Sequence, residues 1–447
     1  MGDLALPYVM PRIRSPELEF VKYCNALMAF RARRRRDVRL SHLPVDLTID
    51  MTTTCQLSCP HCATGLGITG RPKLVMKRPD YDQILKGAGD PCFIIWYFSN
   101  GEPLLNRRFS PLVASSRHQA IFSVISTNLS FTMTDAAIRA LLECGLGLIV
   151  VSLDGATAET YAQYRRGGAF NLVVDNMARL IEAKAKLGLT YPLIEWRFLR
   201  FQHNEREESE VRAMAERLGV DLLEFWNAGA PKAGSVNNRG VFAATLPLSG
   251  PPLSGKALAG LMRRQARERR LARLVPKLTV GGEVERADVT PKCDWLYYSG
   301  MFYPDGKLGP CCLVSKESTD FVQDLSAYPQ VADAFNSDRH LASRAMFVTG
   351  EKGGTVCDAC PTPSAQYYQF RMKLRAILRN APDWAVKVMA AEPDTFFYPE
   401  DQVLAPEVEA LFAGRGLGWL GGDAAILKRL RASEDPDVQG FARLLAA

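Results

Sequence analysis

Residues 48–62 read TIDMTTTCQLSCPHC, and the interpretation of the whole chain starts from this stretch. Its first residues end a short apolar run, Val45–Ile49, which has the length of a buried strand. Three cysteines follow within eight residues, Cys55, Cys59 and Cys62, with three and then two residues between them. The pattern predicts a strand that leads into a loop carrying three clustered thiols.

The clustered thiols suit an iron–sulfur cluster. Three thiolates at this spacing can wrap one face of a four-iron cluster and leave one iron open to an outside ligand, such as the amine and carboxylate of an amino acid. Zinc is the alternative, but zinc sites usually take four protein ligands with paired CxxC units, and His61 lies too close in sequence to complete such a set. Three isolated cysteines in apolar surroundings are expected in the core: Cys24, Cys92 and Cys144.

Short apolar runs alternate with amphipathic stretches from Val45 onward. The predicted strands are Val45–Ile49, Phe93–Phe98, Ile121–Ser126, Leu148–Leu153, Leu193–Phe201 and Leu222–Trp226. The predicted helices include Thr134–Cys144, Leu172–Leu187 and Glu205–Leu218. Alternation at this spacing predicts an α/β fold of parallel strands and crossover helices, arranged as an open or partial (β/α)6 barrel. In such barrels the chemistry lies at the carboxyl ends of the strands.

Polar segments stand at the ends of three further strands. They read SNGEP at residues 99–103, STN at residues 126–128 and VSLDG at residues 151–155, and the last is followed by YRRGG at residues 164–168. Each segment alone is an ordinary turn, helix cap or strand end. Their succession behind the cysteine triad is hard to attribute to chance.

The triad and these segments together resemble the radical S-adenosylmethionine superfamily over about residues 45–227. SNGEP resembles the GGEP motif of that family, with Asn100 in place of the first glycine. The resemblance implies that Cys55, Cys59 and Cys62 bind a [4Fe–4S] cluster, at which S-adenosylmethionine is cleaved reductively to a 5′-deoxyadenosyl radical. It also implies a set of residues that contact the bound cofactor: His61, Asn100, Gly101, Glu102, Ser126, Asn128, Ser152, Asp154 and Arg165.

Five more cysteines lie in a loop-rich C-terminal segment. Cys293 precedes Gly306 by thirteen positions, Cys311 follows five positions later, and Cys357 and Cys360 form a CxxC pair. This order resembles the SPASM/twitch group, in its shorter twitch form with one auxiliary [4Fe–4S] cluster. The resemblance implies four ligands, Cys293, Cys311, Cys357 and Cys360, and Cys312 could replace Cys311. A structural zinc in the same four cysteines stays open as the alternative.

Charge and hydropathy limit the location and the partners. The formal charge is +7, and the excess is concentrated at Arg31–Arg39 and Lys256–Lys277. Each run could face a phosphate-rich partner or a membrane surface, and a solvated helix face is the ordinary alternative. The lack of interleaved aromatic residues does not favour nucleic acid. No apolar run reaches the roughly 20 residues that a membrane span needs, and the N-terminus lacks a secretory signal. We therefore expect a cytoplasmic protein.

The chain divides into five predicted parts. They are an N-terminal helical extension (1–44), the radical SAM partial barrel (45–227), a linker or flap with a basic helix (228–290), a twitch/SPASM-like segment (291–365) and a helical tail (366–447).

The resemblance implies a radical enzyme that acts on a small polar substrate, namely a sugar, an aminocyclitol or a glycoside, by oxidation or epimerisation. It would take electrons from a donor such as flavodoxin or ferredoxin. A peptide maturase is the first alternative, and a zinc-stapled, non-enzymatic nucleic-acid-binding protein is the second. Glu195, Asp305, Tyr298 and Tyr97 are candidates for a base, but each has an ordinary structural role as its alternative, so no catalytic residue is assigned.

Overall fold

A mixed sheet of eight strands organises the described part of the chain. The computed structural model describes residues 11–227, 293–312, 324–360, 377–378, 380–396 and 423–446. Six strands are parallel and adjacent in chain order: β1 Asp46–Ile49, β2 Ile94–Trp96, β3 Phe122–Thr127, β4 Leu148–Ser152, β5 Leu193–Arg200 and β6 Leu222–Asn227. Each coincides with a predicted strand to within two residues at either end, and the predicted α/β fold with a parallel partial barrel is confirmed.

The crossovers between these strands are helical, as the sequence predicts. The helices are α1 Pro16–Arg35 before β1, then α2 Arg78–Ala88, α3 Phe109–Ser115, α4 Asp135–Glu143, α5 Ala158–Tyr164, α6 Phe170–Lys186 and α7 Glu208–Leu218. Short 3-10 turns stand at Pro103–Leu105, Arg117–Gln119 and Glu205–Glu207.

The two faces of the sheet differ in chemistry. In β5, Ile194, Trp196 and Phe198 are fully buried in the main apolar core, whereas the alternate residues Glu195 and Arg197 are charged. Because side chains alternate along a strand and registered neighbours share a face, Ser152 and Glu224 lie on the same side of the sheet as Arg197. We call this side the polar face.

Two strands of the C-terminal segment join the same sheet, which the sequence did not predict. Strand β7, Ser299–Phe302, runs parallel to β1, and β8, Leu308–Gly309, pairs antiparallel with β7. Ser299 Oγ donates to Asp46 Oδ1 at 2.6 Å across the first pair. The strand that precedes the cysteine triad therefore has a partner on each side, β2 and β7.

Helix α1 contains part of the first arginine run, and one of these arginines is buried. Its Arg33 is 2% exposed and bonds Asp294 at 2.5 Å, so this part of the run is neither a solvated face nor a phosphate site. Val21 of the same helix is 42% exposed although it is apolar, and its neighbour Lys22 is buried and bonds the Cys92 carbonyl. A long lysine stem packs well when its ammonium finds an acceptor.

The remaining helices follow β6 in the chain. They are α8 Trp295–Tyr298, α9 Val331–Phe335, α10 Asp338–Thr349, α11 Asp383–Ala391, α12 Pro393–Phe396, α13 Asp423–Arg431 and α14 Pro436–Ala446, with 3-10 turns at Leu325–Ala327 and Val356–Ala359. Among the helices described, none combines the length and the apolarity that a bilayer crossing requires. The predicted linker and basic helix over residues 228–290 lie outside the described residues. Cys24, Cys92 and Cys144 are buried, as predicted.

Candidate active site

The three clustered cysteines lie together in the loop that leaves β1. All are free thiols; Cys59 is buried, and Cys55 and Cys62 are half-buried. They pack in a small cluster with apolar side chains from four segments: Leu57, Tyr164, Leu199, Phe201 and Trp226.

The surroundings of the sulfur atoms fit an iron–sulfur cluster. The backbone N–H of Leu57 donates to Cys55 Sγ at 3.5 Å, and that of Gly65 donates to Cys62 Sγ at 3.5 Å. Burial raises the pKa of the Cys55 thiol to about 12, so the thiolate form requires a bound cation to offset its loss of water. Buried thiols with N–H groups directed at them are what a thiolate-held cluster needs.

The zinc alternative has a stricter geometric requirement. Zinc is a single ion that brings its ligands to within about 2.0–2.3 Å of one point. Within the described residues, no three side chains of His, Cys, Asp or Glu are grouped so as to hold one metal ion.

The SNGEP loop after β2 touches the cysteine loop backbone to backbone. The Glu102 N–H donates to the Thr54 carbonyl at 2.8 Å. A Cβ on Gly101 would lie 2.1 Å from the Thr52 carbonyl oxygen and 2.8 Å from that of Thr54, so only glycine permits this approach. The fold thus brings together two of the segments that the sequence singled out.

Glu102 joins the ends of β2 and β3. Its Oε1 accepts from Thr127 Oγ1 and its Oε2 accepts from the Asn128 N–H, both at 2.7 Å. Burial raises the pKa of this carboxyl to about 7, although these bonds act in the opposite direction. Since both oxygens are used by the protein, Glu102 holds the loop in place, and its predicted contact with the cofactor stays a prediction.

Asn100, which replaces the motif glycine, bonds a residue that the sequence did not single out. Its N–H donates to Asp50 Oδ1 at 3.0 Å and its Nδ2 donates to Oδ2 at 2.7 Å. Asp50 is fully buried, and burial raises its pKa to about 6 against these two bonds. Asp50 could have been singled out from the sequence, because it is an acid directly after β1.

The STN and SLDG segments meet at the ends of β3 and β4. Ser126 Oγ and Ser152 Oγ are 3.4 Å apart on the polar face. Asn128 Oδ1 accepts from Gln56 Nε2 at 2.7 Å, and Asn128 Nδ2 lies 3.7 Å from Cys55 Sγ. Gln56, inside the cysteine loop, is a second residue that the motif comparison missed, because it lies between the ligand positions.

Asp154 and Arg165 form an ion pair beside the cysteines, in which Asp154 is fully buried. Arg165 Nε lies 2.6 Å from Asp154 Oδ2, and the Leu199 N–H donates to Oδ1 at 2.7 Å, so Asp154 ties Arg165 to β5. Burial raises the pKa of Cys59, while the Arg165 guanidinium, which hydrogen-bonds this thiol, opposes the rise. His61 is exposed and stacks on Tyr164 with ring centroids 6.1 Å apart.

A charged network lies next to these residues on β5 and β6. Arg197 Nη2 lies 2.7 Å from Glu195 Oε1 and 3.6 Å from Glu224 Oε2, and its guanidinium lies 4.2 Å from the Trp226 ring. Trp226 Nε1 donates to Glu224 Oε2 at 2.7 Å. Glu195 is 1% exposed, and burial raises its pKa to about 7, with Arg197 opposing and Glu224 adding to the rise.

The four base candidates are placed differently from one another. Glu195 lies on the polar face, in register with Val150 and two residues before Arg197. Tyr97 Oη bonds Tyr81 Oη at 2.6 Å in the core, and Asp305 pairs with Lys307 at 3.1 Å. Tyr298 is buried at the end of α8 and packs edge-on against Phe30. Of the four, Glu195 is the one that belongs to the charged network.

The C-terminal cysteines also come together. Cys293, Cys311 and Cys312 pack against Trp295, Met301 and Tyr303. Burial raises the pKa of Cys293, and the nearby thiols of Cys357 and Cys360 add to the rise. The Arg71 guanidinium, from the end of the first cysteine loop, lies 3.7 Å from the centre of the Tyr303 ring and links the two cysteine regions.

Comparison with known proteins identifies the family of the central domain. Residues 49–195 match the model of the radical SAM superfamily. This range contains the triad and all the strand-end segments described above.

Curated relatives match over the same part of the chain. PqqA peptide cyclase of Rhizobium meliloti is 23% identical over 185 residues, which cover 41% of this chain and 48% of the relative. Mycofactocin maturase MftC of Mycobacterium ulcerans is 28% identical over 182 residues, 40% of this chain and 46% of the relative. Fe-coproporphyrin III synthase of Methanosarcina barkeri is 30% identical over 179 residues, which cover 39% of this chain and 40% of the relative. The chain thus spans about half the length, or less, of these relatives.

Among solved structures, SuiB of Streptococcus suis bound to S-adenosylmethionine has a TM-score of 0.48 and 15% identity, covering 70% of this chain and 69% of that one.

The relatives overturn the predicted substrate. Two of those above are named as a peptide cyclase and a maturase, and none of the three is named for a sugar, so the prediction of a sugar, aminocyclitol or glycoside substrate was wrong. The non-enzymatic alternative was wrong as well, because the family and these relatives are enzymes. The cofactors are those of the superfamily, a [4Fe–4S] cluster and S-adenosylmethionine. Residues 49–195 therefore form a radical SAM domain.

Proposed function

We propose that this chain modifies a peptide by radical chemistry, with S-adenosylmethionine bound where the cysteine loop meets the ends of β2, β3 and β4. One observation carries the site: the cysteine and SNGEP loops are locked together by the Glu102–Thr54 bond and the close approach at Gly101. The peptide substrate rests on the similarity to PqqA peptide cyclase over 185 residues.

The residues present can hold two clusters. Cys55, Cys59 and Cys62 would hold the cluster that binds S-adenosylmethionine, and the later group, Cys293, Cys311, Cys357 and Cys360, would hold an auxiliary [4Fe–4S] cluster. When bound, the first cluster and its ligand supply a carbon-centred radical that can abstract hydrogen from an unactivated C–H bond. An outside one-electron donor, such as flavodoxin or ferredoxin, belongs to the proposal.

The chain's own groups bind, orient and exclude water. Ser126 and Ser152 offer hydroxyls on the polar face for a ribose or a carboxylate, and Arg165 offers a cation that Asp154 holds in a fixed direction. Leu199 and Phe201 keep water away from the sulfur atoms. Excluding water and fixing geometry is the part of radical catalysis that falls to the protein.

The charged network on β5 and β6 suits a polar peptide. Glu195 can hold or release a proton near neutral pH, because burial raises its pKa to about 7. With Arg197 between the carboxyls of Glu195 and Glu224, the network offers both acceptors and donors to amide groups. We retain residues 45–227 as the barrel and residues 291–365 as the auxiliary segment, which shares the sheet through β7.

The site is tested with Cys55→Ala. We expect anaerobically reconstituted wild-type protein to form 5′-deoxyadenosine with dithionite, and the variant to form none, because the first cluster loses a ligand. Cys144→Ala, which removes a buried core thiol, is the matched control and should retain cleavage. Undiminished cleavage by Cys55→Ala would refute the site.

The substrate class is tested with extract fractions from cells grown in heavy water. Deuterium should appear in 5′-deoxyadenosine when the enzyme meets a fraction that contains its substrate. Digesting the active fraction with a protease beforehand should abolish this transfer if the substrate is a peptide. Transfer that survives digestion would contradict a peptide substrate while leaving the radical site intact.

A further inference from the structure

The outer side of the cysteine loop is cationic and apolar, and its sequence is free of acids. From Met51 to Pro79 there is no Asp or Glu, although 48 acids among 447 residues would place about three in such a stretch. Three large apolar side chains in this loop are exposed, Leu66 and Ile68 at 42% and Val75 at 45%. Exposed apolar residues that cluster beside charged ones mark interaction surfaces more often than singly scattered ones do.

Backbone pairing fixes the direction of these side chains. Val75 bridges antiparallel to Thr52, and the flanking bonds run from Thr53 N to Leu74 O and from Met76 N to Met51 O, both 3.0 Å. Leu74 is half-buried and Met76 is buried, whereas the alternate residues 73, 75 and 77 are exposed. Lys73, Val75 and Lys77 therefore form one outward stripe, attached to the segment that leads into Cys55.

A second cationic segment lies beside this stripe. Asn106 Nδ2 donates to the carbonyls of Met51 and Met76, at 3.1 Å each, and so holds the next two residues against the stripe. Those residues, Arg107 and Arg108, are exposed. We define the cluster-loop face by five residues: Lys73, Val75, Lys77, Arg107 and Arg108.

The four cations of this face are uncompensated. Within the described residues, none of Lys73, Lys77, Arg107 and Arg108 forms an ion pair with an acid. By contrast Arg78, the next residue along the chain, pairs with Asp82 at 2.6 Å. Four unpaired cations around an exposed valine suit a partner whose own surface is acidic.

We propose that the cluster-loop face docks an acidic one-electron carrier protein. The proposal rests on the proposed function, which requires an electron from outside the chain, and it places the donor against the loop that holds the cysteines. One electron passes from the reduced carrier, which is oxidised, to the cluster held by the triad, which is reduced, and no atom is transferred. The face has no aromatic residue on which a nucleic acid could stack, and it lies outside the polar face, where the peptide is expected.

The test uses reconstituted enzyme, an acidic flavodoxin and the double variant Lys73→Glu/Lys77→Glu. We expect the Kd for flavodoxin, measured by calorimetric titration, to rise about tenfold or more in the variant, and the wild-type Kd to rise with salt. Flavodoxin-driven formation of 5′-deoxyadenosine should fall, whereas dithionite-driven formation should stay unchanged, since dithionite needs no docking surface. The matched control is Lys86→Glu/Lys352→Glu, which reverses two exposed lysines elsewhere and should change neither quantity.

Several outcomes would overturn the docking surface. They are an unchanged Kd, an equal loss in the control, no binding of flavodoxin to wild type at low salt, or a changed KM for peptide when dithionite is the reductant. The last would show that the face binds substrate. A wild-type enzyme that binds flavodoxin but cleaves nothing even with dithionite would count against the proposed function and not against the surface.

Discussion

Asn100 stands where the radical SAM motif has its first glycine, and its side chain bonds Asp50. Asp50 is fully buried after β1 and receives two bonds from Asn100, one from the backbone and one from the side chain. A buried carboxylate needs such donors. Leaving it without a hydrogen bond costs more stability than a formed hydrogen bond contributes. The substitution in the motif and the acid after β1 therefore form one unit, which fastens the SNGEP loop to the base of the cysteine loop.

We predict that Asn100→Gly, although it restores the family motif, destabilises this protein by about 1–3 kcal/mol, because Asp50 Oδ2 loses a donor in the core. Chemical unfolding measures the change in the free energy of unfolding. A cycle with Asp50→Asn should show coupling of about 0.5 kcal/mol or more between the two positions. If the changes in the free energy of unfolding of the two single variants simply add up in the double variant, the two residues are not coupled.

Glu195 gives a second prediction at this scale, on pH. Its pKa is raised to about 7 by burial, so between pH 4.5 and 7 the folded state holds a proton that the unfolded chain releases. Protonated Glu195 contributes its full stabilisation below its unfolded pKa of 4.5. This stabilisation is lost as the pH rises through the folded pKa of about 7, by on the order of 1.4 kcal/mol per pH unit at most. Glu195→Gln should therefore lose less stability than wild type between pH 5 and 7.5.

Unfolding curves over this pH range check the prediction. Glu210→Gln, at an exposed position on α7, is the control and should follow wild type. Parallel pH profiles for wild type and Glu195→Gln would show that burial does not protect the Glu195 proton.

At the scale of elements, the site is assembled from loop contacts and not from long helices. The SNGEP loop, the cysteine loop and the end of β3 are joined by three bonds within 2.8 Å, all of which involve Glu102. Helix α1 contributes at the second cysteine region, since its Arg33 holds Asp294, the neighbour of Cys293.

We predict that Gly101→Ala severely disrupts the site, because its Cβ would lie 2.1 Å from a backbone oxygen that cannot move without parting the two loops. The iron content after reconstitution and the melting temperature should both fall. Gly67→Ala is the contrasting variant: its φ is +68° but nothing lies within 4 Å of the new Cβ, so we expect only about 1 kcal/mol. Equal effects of the two would disprove the steric argument.

At the scale of the whole molecule, the two cysteine regions belong to one sheet. Strand β7 brings Cys293 and Cys311 beside β1, and Arg71 packs on Tyr303 between the two regions. We therefore regard the auxiliary segment as part of the barrel's edge and not as an appended unit.

Removing one ligand of the auxiliary cluster distinguishes the roles of the two clusters. We predict that Cys357→Ala lowers the iron content from about eight to about four per chain, keeps formation of 5′-deoxyadenosine, and loses modified peptide. Iron analysis and chromatography of both products check this. Normal yield of modified peptide would count against a redox role for the second cluster, and an unchanged iron content would count against its ligand set.

Much of the barrel could be predicted from the sequence, because each strand is an apolar run long enough to show a period and each strand end carries a polar segment. Strand β7 could not be, since Ser299–Phe302 is four residues long and includes a glycine. Asp50 and Gln56 were missed because their roles arise from contacts across the fold. The burial of Arg33 depends on Asp294, 261 positions away, which no local pattern reveals. The substrate was mispredicted because motifs at the strand ends describe the cofactor and leave the substrate undefined.

The pairing of β1 with β7 has a consequence for biosynthesis. Ile49 is made about 250 residues before Phe302, its partner across the sheet. On the ribosome, one edge of the strand that leads into the first cysteines thus stays open until most of the chain has emerged. An open strand edge invites pairing with other chains. Slow translation during this interval should therefore favour aggregation of nascent chains over enzyme.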